Sequence, residues 1–181
     1  MKILAFAATN SKNSINQQLA HYAAKQVTGA QIELIDLNDY EMPIYSQERE
    51  AELGGVHPLA QQFYDKIGGA DAVIVSFAEH NGSYTAAYKN IFDWTSRINM
   101  KVYQDKPVLM LATSPGPGGA QSVLTGAVNS AGYFGIDLKG SLSVASFYDV
   151  FDMEAGELKD SGLASQLTGL TAQLEHTAAV N

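Results

Sequence analysis

The sequence predicts a single α/β domain built on a doubly wound parallel sheet of five strands. Five short runs are almost continuously apolar and rich in β-branched residues, as expected of strands that are buried on both faces. Segments with the period of amphipathic helices lie between these runs. The 181 residues, of which 46% are hydrophobic, are enough for one buried core, and the chain contains neither an internal repeat nor a linker.

The elements follow one another in a regular order. The strand runs lie at residues 2–7, 31–36, 72–78, 107–113 and 136–144, and the helical segments lie around residues 15–28, 58–68, 84–99, 119–134 and 160–176. Pro58 suits the first turn of its helix, because the N–H that proline lacks would be unbonded there anyway. Strand and helix therefore alternate five times, which favours parallel strands with helices on both faces of the sheet.

The first predicted strand runs into a polar loop, residues 7–16, that leads into a helix. Ser14 stands three residues before Gln17, which is the spacing of a capping box. A helix N-terminus offers unbonded N–H groups and the positive end of the helix dipole, so the hydroxyl and amide side chains of this loop suit a bound phosphate. An ordinary capped turn explains the same pattern, and at this point both interpretations stay open.

Glycine-rich polar loops also follow the third and fourth strands, at residues 79–84 and 114–119. In an open parallel sheet the strand order reverses at one point, and the loops at the carboxyl ends of the strands there form a ligand crevice. Gly82 would let the backbone approach a flat ligand closely, and Gly116, Gly118 and Gly119 could form a wall of exposed amides. Tight turns are the alternative for each loop alone, but three such loops at one edge favour a nucleotide-like ligand.

Two connections are irregular. Residues 37–56 are long for a link between a strand and a helix, and long connections are often functional. Residues 147–159 are expected to form a solvated surface hairpin or loop, with Gly156 in its turn.

The helix that follows the second loop has a clear apolar face. Tyr84, Tyr88, Ile91, Phe92, Thr95 and Ile98 share that face. Asp93 and Arg97 have the i, i+4 spacing of a modest ion pair. Trp94 lies off the main stripe, and the core and a subunit interface are both open as its environment.

The composition excludes several classes of function. A net charge of −8 argues against nucleic acid or an anionic membrane as the partner. Without cysteine the chain has no disulfide framework, thiolate metal site or dithiol chemistry, so any redox reaction needs a cofactor. The four histidines are scattered, which predicts no metal site. The first apolar run, about seven residues, is too short for a membrane span, so a cytoplasmic location is expected.

Familiar nucleotide and hydrolase motifs are missing. No G-x-G-x-x-G opens a helix after a strand, and the chain has neither a G-x-x-x-x-G-K-[ST] loop nor a G-x-S-x-G elbow. His80 is the one histidine in a candidate loop, where it could move a proton or simply pack beside a ligand.

Four segments together carry a resemblance to a known family. Residues 8–16 are similar to G-S-x-R-x-x-S-x-N and keep Ser14 and Asn16, while residues 78–83 and 89–94 are similar to P-E-Y-N-x-S followed by K-N-x-x-D-W. Residues 113–119 are similar to an S-x-G-x-x-G-G loop, and the short pairs at 36–37 with 42–43 and at 151–152 with 156–158 recur at matching places. The chain thus resembles the NADPH-dependent FMN reductases of the flavodoxin-like fold, which include quinone, azo-dye and chromate reductases.

The resemblance implies a flavoprotein oxidoreductase that binds FMN noncovalently. Hydride would pass from NADPH or NADH to FMN, and electrons would then pass to a quinone, an azo compound, free flavin or a similar acceptor. It also implies a homodimer or homotetramer. A flavodoxin-like electron carrier without nicotinamide activity is the alternative, and a protein that no longer binds flavin is a third possibility.

The resemblance also assigns the cofactor-binding residues. They are Thr9, Ser11, Ser14, Ile15 and Asn16 in the first loop; Glu79, His80, Asn81, Gly82 and Ser83 in the second; and Ser114, Pro115, Gly116, Gly118 and Gly119 in the third. No catalytic residue is certain, and His80, which stands where the family has an aromatic residue, is a possible proton donor. Ser11 stands where the family has arginine, and Lys12 can replace only its charge.

Overall fold

The computed structural model describes residues 1–178, and its centre is a parallel sheet of five strands in the order β2-β1-β3-β4-β5. The strands are β1 (Lys2–Ala8), β2 (Gln31–Leu34), β3 (Ala72–Phe77), β4 (Lys106–Thr113) and β5 (Ile136–Val144). This is the flavodoxin-like order, which reverses between β1 and β3. The predicted doubly wound five-stranded sheet is therefore confirmed.

Helices cover both faces of the sheet. They are α1 (Ile15–Lys25), α2 (Gln47–Glu52), α3 (Pro58–Gly68), α4 (Ala86–Thr95), α5 (Gln121–Ser130), α6 (Phe147–Val150) and α7 (Ser161–Ala178). One core cluster joins α1 and α7 to the sheet, and another joins α3, α4 and α5 to its opposite face. None of the helices in the described part of the chain is long and apolar enough to cross a membrane.

The alternating side chains of β1 show how both faces of the sheet are buried. Ile3 and Ala5 pack with α1 and α7, whereas Leu4 and Phe6 pack with α3, α4 and α5. All four side chains are completely buried, and Phe63 of α3 meets the Phe6 ring edge-on at 5.6 Å. A strand that is buried on both faces needs apolar residues at every position, and this is why the runs of the central strands β1, β3 and β4 were visible in the sequence.

Two helices begin two residues later than predicted. α4 begins after Thr85, whose hydroxyl oxygen accepts a hydrogen bond from the N–H of Tyr88 at 3.2 Å. α5 begins after Gly119 and Ala120, whose φ angles of +58° and +57° are left-handed and end any helical pattern there.

The long connection at residues 37–56 contains structure that the sequence pattern did not predict. A 3-10 helix spans Leu37–Tyr40, and α2 follows it. α2 has only six residues and none is buried, so no apolar stripe marks it in the sequence.

The position of α2 also changes the ion pairs of α4. Arg97 bonds Glu50 of α2, with Nε 3.0 Å from Oε2, and Asp93 pairs with Lys89 in the preceding turn at 2.6 Å. The predicted Asp93–Arg97 pair is therefore wrong, because each residue has a different partner. Trp94 is fully buried and donates from Nε1 to the carbonyl of Pro43 at 2.8 Å, so it belongs to the core of the subunit.

The segment after β5 forms the expected hairpin, from β6 (Phe151–Asp152) and β7 (Glu157–Leu158). Gly156 has a φ of +68° and supplies the turn. The hairpin is not simply solvated, because Phe151 and Leu158 are buried against the α1 and α7 side of the core. Residues on one face of a two-stranded ribbon can be buried while the other face meets water.

Candidate functional site

A cleft of about 300 Å³ opens at the carboxyl edge of the sheet, beside the point where the strand order reverses. The loops after β1, β3 and β4 line it, as the sequence predicted. The lining includes nine of the residues assigned from the resemblance: Thr9, Ser11, Ser14, Ile15, Asn16, Glu79, His80, Ser114 and Pro115. The rest of that set, Asn81, Gly82, Ser83, Gly116, Gly118 and Gly119, lie in the same loops but outside the lining.

One end of the cleft is the N-terminus of α1. Ser14 caps the helix, since its hydroxyl oxygen accepts from the N–H of Gln17 at 3.2 Å. The N–H groups of Ile15 and Asn16 make no hydrogen bond within the described residues, as is usual for a first helical turn. Free N–H groups at the positive end of a helix dipole form a site for an anion.

The reciprocal half of the predicted capping box does not form. The Gln17 side chain instead accepts from the N–H of Ala7 at 2.8 Å and donates to the carbonyl of Ile35 at 3.1 Å. These backbone groups lie at the ends of the first two strands, where the ladder between the strands has stopped. Gln17 satisfies them, and so holds the first loop against the sheet.

The side chain of Asn16 is buried and clamps three elements together. Its Oδ1 accepts from the hydroxyl of Ser76 at 2.7 Å and from the N–H of Thr113 at 3.1 Å, and its Nδ2 donates to the Thr113 carbonyl at 3.2 Å. The amide is thus occupied by the ends of β3 and β4. The backbone N–H of Asn16 makes no hydrogen bond within the described residues and is free for a ligand.

The second loop is a tight hairpin turn. His80 and Ser83 exchange backbone hydrogen bonds of 3.0 and 3.1 Å. Between them Asn81 and Gly82 have φ angles of +54° and +77°, the left-handed pair that a type I′ turn requires. The turn holds its tip in solvent and leaves Glu79 and His80 against the cleft.

Glu79 links the second loop to α5, the helix that follows the third loop. Its Oε2 accepts from the N–H of Val123, in the first turn of α5, at 2.9 Å. Ala120, the N-cap residue of that helix, makes no side-chain cap of its own. A carboxylate at the positive end of α5 therefore replaces the missing cap from a different loop.

The third loop is fastened to the end of β5. A Cβ on Gly119 would lie 2.3 Å from Oγ of Ser143, which itself donates to the Gly119 carbonyl at 2.8 Å. Only glycine fits so close an approach. The N–H of Ser146 bonds the Gly116 carbonyl at 2.9 Å. The N–H groups of Gly116 and Gly118 make no hydrogen bond within the described residues, whereas the N–H of Gly119 bonds the Gly116 carbonyl at 3.4 Å, so two of the three expected amides are free.

Four further residues of the lining were not among those assigned: Asn13, Ala78, Thr113 and Tyr148. Thr113 is buried at the end of β4, where its backbone is held by Asn16. Tyr148 follows the end of β5 and is 56% exposed at the rim of the cleft. An aromatic residue just beyond a strand's carboxyl end was the available signal, but residues 147–159 were interpreted as a surface loop.

Backbone strain also marks this edge of the sheet. Among residues 1–178, five non-glycine residues have positive φ, and three of them, Asn81, Ala120 and Ser146, lie in the loops around the cleft. Such conformations persist where the surrounding contacts impose them, and they are concentrated at functional sites.

The comparison with known proteins decides the family. A model of the NADPH-dependent FMN reductase family matches residues 1–148. The chain belongs to this family. The matched region of the FMN reductase family includes all three loops of the cleft and ends at Tyr148.

Individual relatives of the chain are also quinone and flavin reductases by name. The chain is 32% identical to an NADPH:quinone oxidoreductase of Arabidopsis thaliana over 126 residues, which cover 67% of this chain and 62% of that protein. It is 32% identical to the NADH-dependent flavin reductase subunit 2 of Lactobacillus johnsonii over 124 residues, covering 66% and 64%. The matches thus span a little under two thirds of the length of these relatives.

A solved structure shares the fold over nearly the whole chain. The flavoenzyme NAD(P)H:(acceptor) oxidoreductase from Paracoccus denitrificans superimposes with a TM-score of 0.76 and 24% identity, covering 96% of this chain and 95% of that one. At 24% identity, this similarity shows that the two proteins share a fold.

The hydrogen bond from the Val123 N–H to Glu79 is expected to stabilise α5 in this member of the FMN reductase family. Replacing Glu79 by alanine is expected to lower the free energy of unfolding by about 1–2 kcal/mol, because α5 loses its cap. Glu79→Gln keeps an acceptor oxygen and is expected to lose about half as much. Urea denaturation followed by circular dichroism measures both values.

Glu154→Ala is the matched control, since Glu154 is exposed in a turn and its side chain makes no hydrogen bond within the described residues. Equal stability of Glu79→Ala and the wild type would show that the carboxylate does not cap α5.

Proposed function

We propose that this protein is an NAD(P)H-dependent oxidoreductase that holds FMN noncovalently in the cleft and reduces a quinone, an azo compound, free flavin or a similar small acceptor. One observation carries the proposal. In a chain of this family, the free N–H groups of a helix N-terminus and the hydroxyls of the first loop line one part of a cleft, and the loops after β3 and β4 line the rest. That donor set fits a flat molecule with a phosphate at one end.

The first loop is proposed to hold the phosphate. The N–H groups of Ile15 and Asn16 would donate to it, together with the hydroxyls of Thr9, Ser11 and Ser14. The Asn16 side chain then has a positioning role, because its amide is already bonded to β3 and β4. Dipoles and hydroxyls provide this binding without a fixed arginine charge.

The second and third loops are proposed to hold the ring. Bound FMN supplies the redox chemistry, accepting hydride from reduced nicotinamide and passing the electrons to a second substrate. The free N–H groups of Gly116 and Gly118 would donate to the ring edge, where negative charge develops on reduction. His80 lines the cleft and would donate a proton from its imidazole, and Tyr148 would offer a ring for stacking at the rim.

The proposal is tested with the purified full-length chain after incubation with FMN. We expect bound flavin absorbance after gel filtration, and oxidation of NADPH or NADH that depends on a quinone acceptor, with turnover roughly in the range of 1–10³ s⁻¹. Absorbance spectroscopy follows both the flavin and the nicotinamide.

Stopped-flow mixing with NADPH and NADH, without acceptor, separates the enzyme from an electron carrier. A carrier would keep its flavin oxidised, whereas an enzyme would bleach it before the quinone is added. A chain that retains no flavin and oxidises no nicotinamide would contradict the proposal altogether.

Ser11 tests where the phosphate lies. Ser11→Arg adds a guanidinium group beside the α1 N-terminus. It is expected to tighten FMN binding about tenfold, the equivalent of one charge-assisted hydrogen bond. Titration with FMN, followed by quenching of its fluorescence, measures the change.

Asn10→Arg is the matched control for added charge. Asn10 is also exposed in this loop, but it lines a neighbouring groove outside the cleft. Unchanged affinity in Ser11→Arg, or an equal gain in both variants, would count against the proposed phosphate position.

We further propose that two copies associate as a homodimer, or pairwise in a homotetramer, and that the protein acts in the cytoplasm, where reduced nicotinamide is maintained. Ile44 and Leu53, which flank the α2 segment, are 75% and 53% exposed and support an interface there. Neighbouring exposed apolar side chains are typical of surfaces that bind another protein.

Light scattering coupled to gel filtration tests the assembly. Wild-type protein is expected at twice the chain mass or a multiple of it, and Ile44→Asp combined with Leu53→Asp is expected to shift it to the monomer, because each carboxylate would be desolvated in the interface. Met153→Asp is the control on the distant hairpin, where Met153 is 50% exposed. A monomeric wild type would contradict the proposal.

A further inference from the structure

The charges around the cleft are unfavourable for a negatively charged electron acceptor. Thirteen described residues line the cleft, and none of these is a lysine or an arginine. Their polar side chains are hydroxyls and amides, apart from the imidazole of His80 and the carboxylate of Glu79. An anion in the cleft would therefore share the lining with a carboxylate, without a lysine or arginine as its partner.

Two lysines close to the cleft lie outside its lining. Lys12 is exposed on the first loop, which is proposed to hold the phosphate, so its charge would be shared with that phosphate. Lys159 is also exposed, and its Nζ donates to the carbonyl of Tyr148 at 3.4 Å. Backbone hydrogen bonds and, to a lesser extent, the charge of Lys159 lower the pKa of the Asp152 carboxyl, so Lys159 already has a carboxylate as a neighbour.

The charge of the whole chain acts in the same direction. The chain has 19 acidic and 11 basic residues and a net charge of −8. Bound FMN would add the negative charge of its phosphate at the first loop. An anion that approaches the cleft is therefore repelled at long range, and inside the cleft it loses water without gaining a lysine or arginine partner.

We propose that the cleft selects the electron acceptor by charge, and that it takes uncharged quinones and azo compounds in preference to anionic acceptors such as sulfonated dyes and metal oxyanions. The inference rests on the proposed function, because the acceptor must reach FMN in this cleft. NAD(P)H, one proton and a quinone give NAD(P)⁺ and a hydroquinone, so an uncharged acceptor leaves as an uncharged product. Neither form of the acceptor has to bring a charge into the cleft.

The first experiment measures how fast an acceptor reoxidises the FMN-loaded, full-length protein after anaerobic reduction with one equivalent of dithionite. Benzoquinone and benzoquinone sulfonate are the matched acceptors, because they differ by one negative charge. Raising the salt from about 0.01 to about 0.15 M shortens the Debye length from about 30 to about 8 Å. We expect the bimolecular rate constant to rise about three- to tenfold for the sulfonate and to stay within about twofold for benzoquinone, because only the sulfonate is repelled.

Equilibrium binding provides a measurement that does not depend on electron transfer. Benzamide and benzenesulfonate are not reduced by the flavin, and their binding is followed by the absorbance of oxidised FMN in the protein. We expect the dissociation constant of benzenesulfonate to fall about three- to tenfold over the same increase in salt, and that of benzamide to stay within about twofold. The repulsion would then act on the bound anion as well as on its approach.

A matched pair of variants tests whether the lining of the cleft sets this preference. Asn13 is exposed and lines the cleft, whereas Asn10 is exposed in the same loop but lines the neighbouring groove. Asn13→Lys adds a cation to the lining and should raise the rate constant of benzoquinone sulfonate at low salt about threefold. Asn10→Lys adds the same charge outside the cleft and should raise that rate constant less. Circular dichroism checks the fold of each variant.

Several results would overturn the proposal. Equal salt dependence for the two quinones would show that charge does not select the acceptor, and a sulfonate reaction that slows as salt is added would show that a cation attracts it. Equal gains in the two variants would show that the lining does not set the preference. In each of these cases the proposed function stands, because both quinones reoxidise the flavin. A chain that holds no FMN, or whose reduced flavin neither quinone reoxidises, would contradict the proposed function as well.

Discussion

The buried amide of Asn16 is the contact on which the geometry of the cleft depends. A single side chain joins the first turn of α1 to the hydroxyl of Ser76 in β3 and to the backbone of Thr113 at the end of β4. Those are the three elements whose following or preceding loops line the cleft. Because a buried polar group is costly when it loses its partner, the clamp holds the helix N-terminus at one distance from the other loops.

The remaining connections around the cleft work in the same way. Gln17 ties the first loop to two strand ends, Glu79 ties the second loop to α5, and Ser143 ties the third loop to β5. Each loop is thus held by a side-chain hydrogen bond that joins it to a different part of the chain. A site made of irregular backbone can be rigid when its polar groups are satisfied in this way.

The parts that the sequence predicted are those with a local signal. The central strands β1, β3 and β4 were visible because burial on both faces demands continuous apolar residues, and the site loops were visible because small polar residues follow strand ends. α2 and the Glu79 cap had no such signal, and Tyr148, an aromatic residue just beyond a strand end, was interpreted as part of a surface loop. α2 and the Glu79 cap depend on which distant segments become neighbours, as the partners of Arg97 and Asp93 also do.

The fastening of the loops has a consequence for how such a protein evolves. Glu79 lines the cleft and caps α5 at once, and Gly119 has no room for a side chain, so substitutions at either position change folding together with chemistry. Gly116 and Gly118 meet open space where a Cβ would stand, and Tyr148 is exposed at the rim. Substitutions at Gly116, Gly118 and Tyr148 can therefore change ligand preference with little loss of stability. Substitutions at Glu79 and Gly119 are expected to be accepted more rarely.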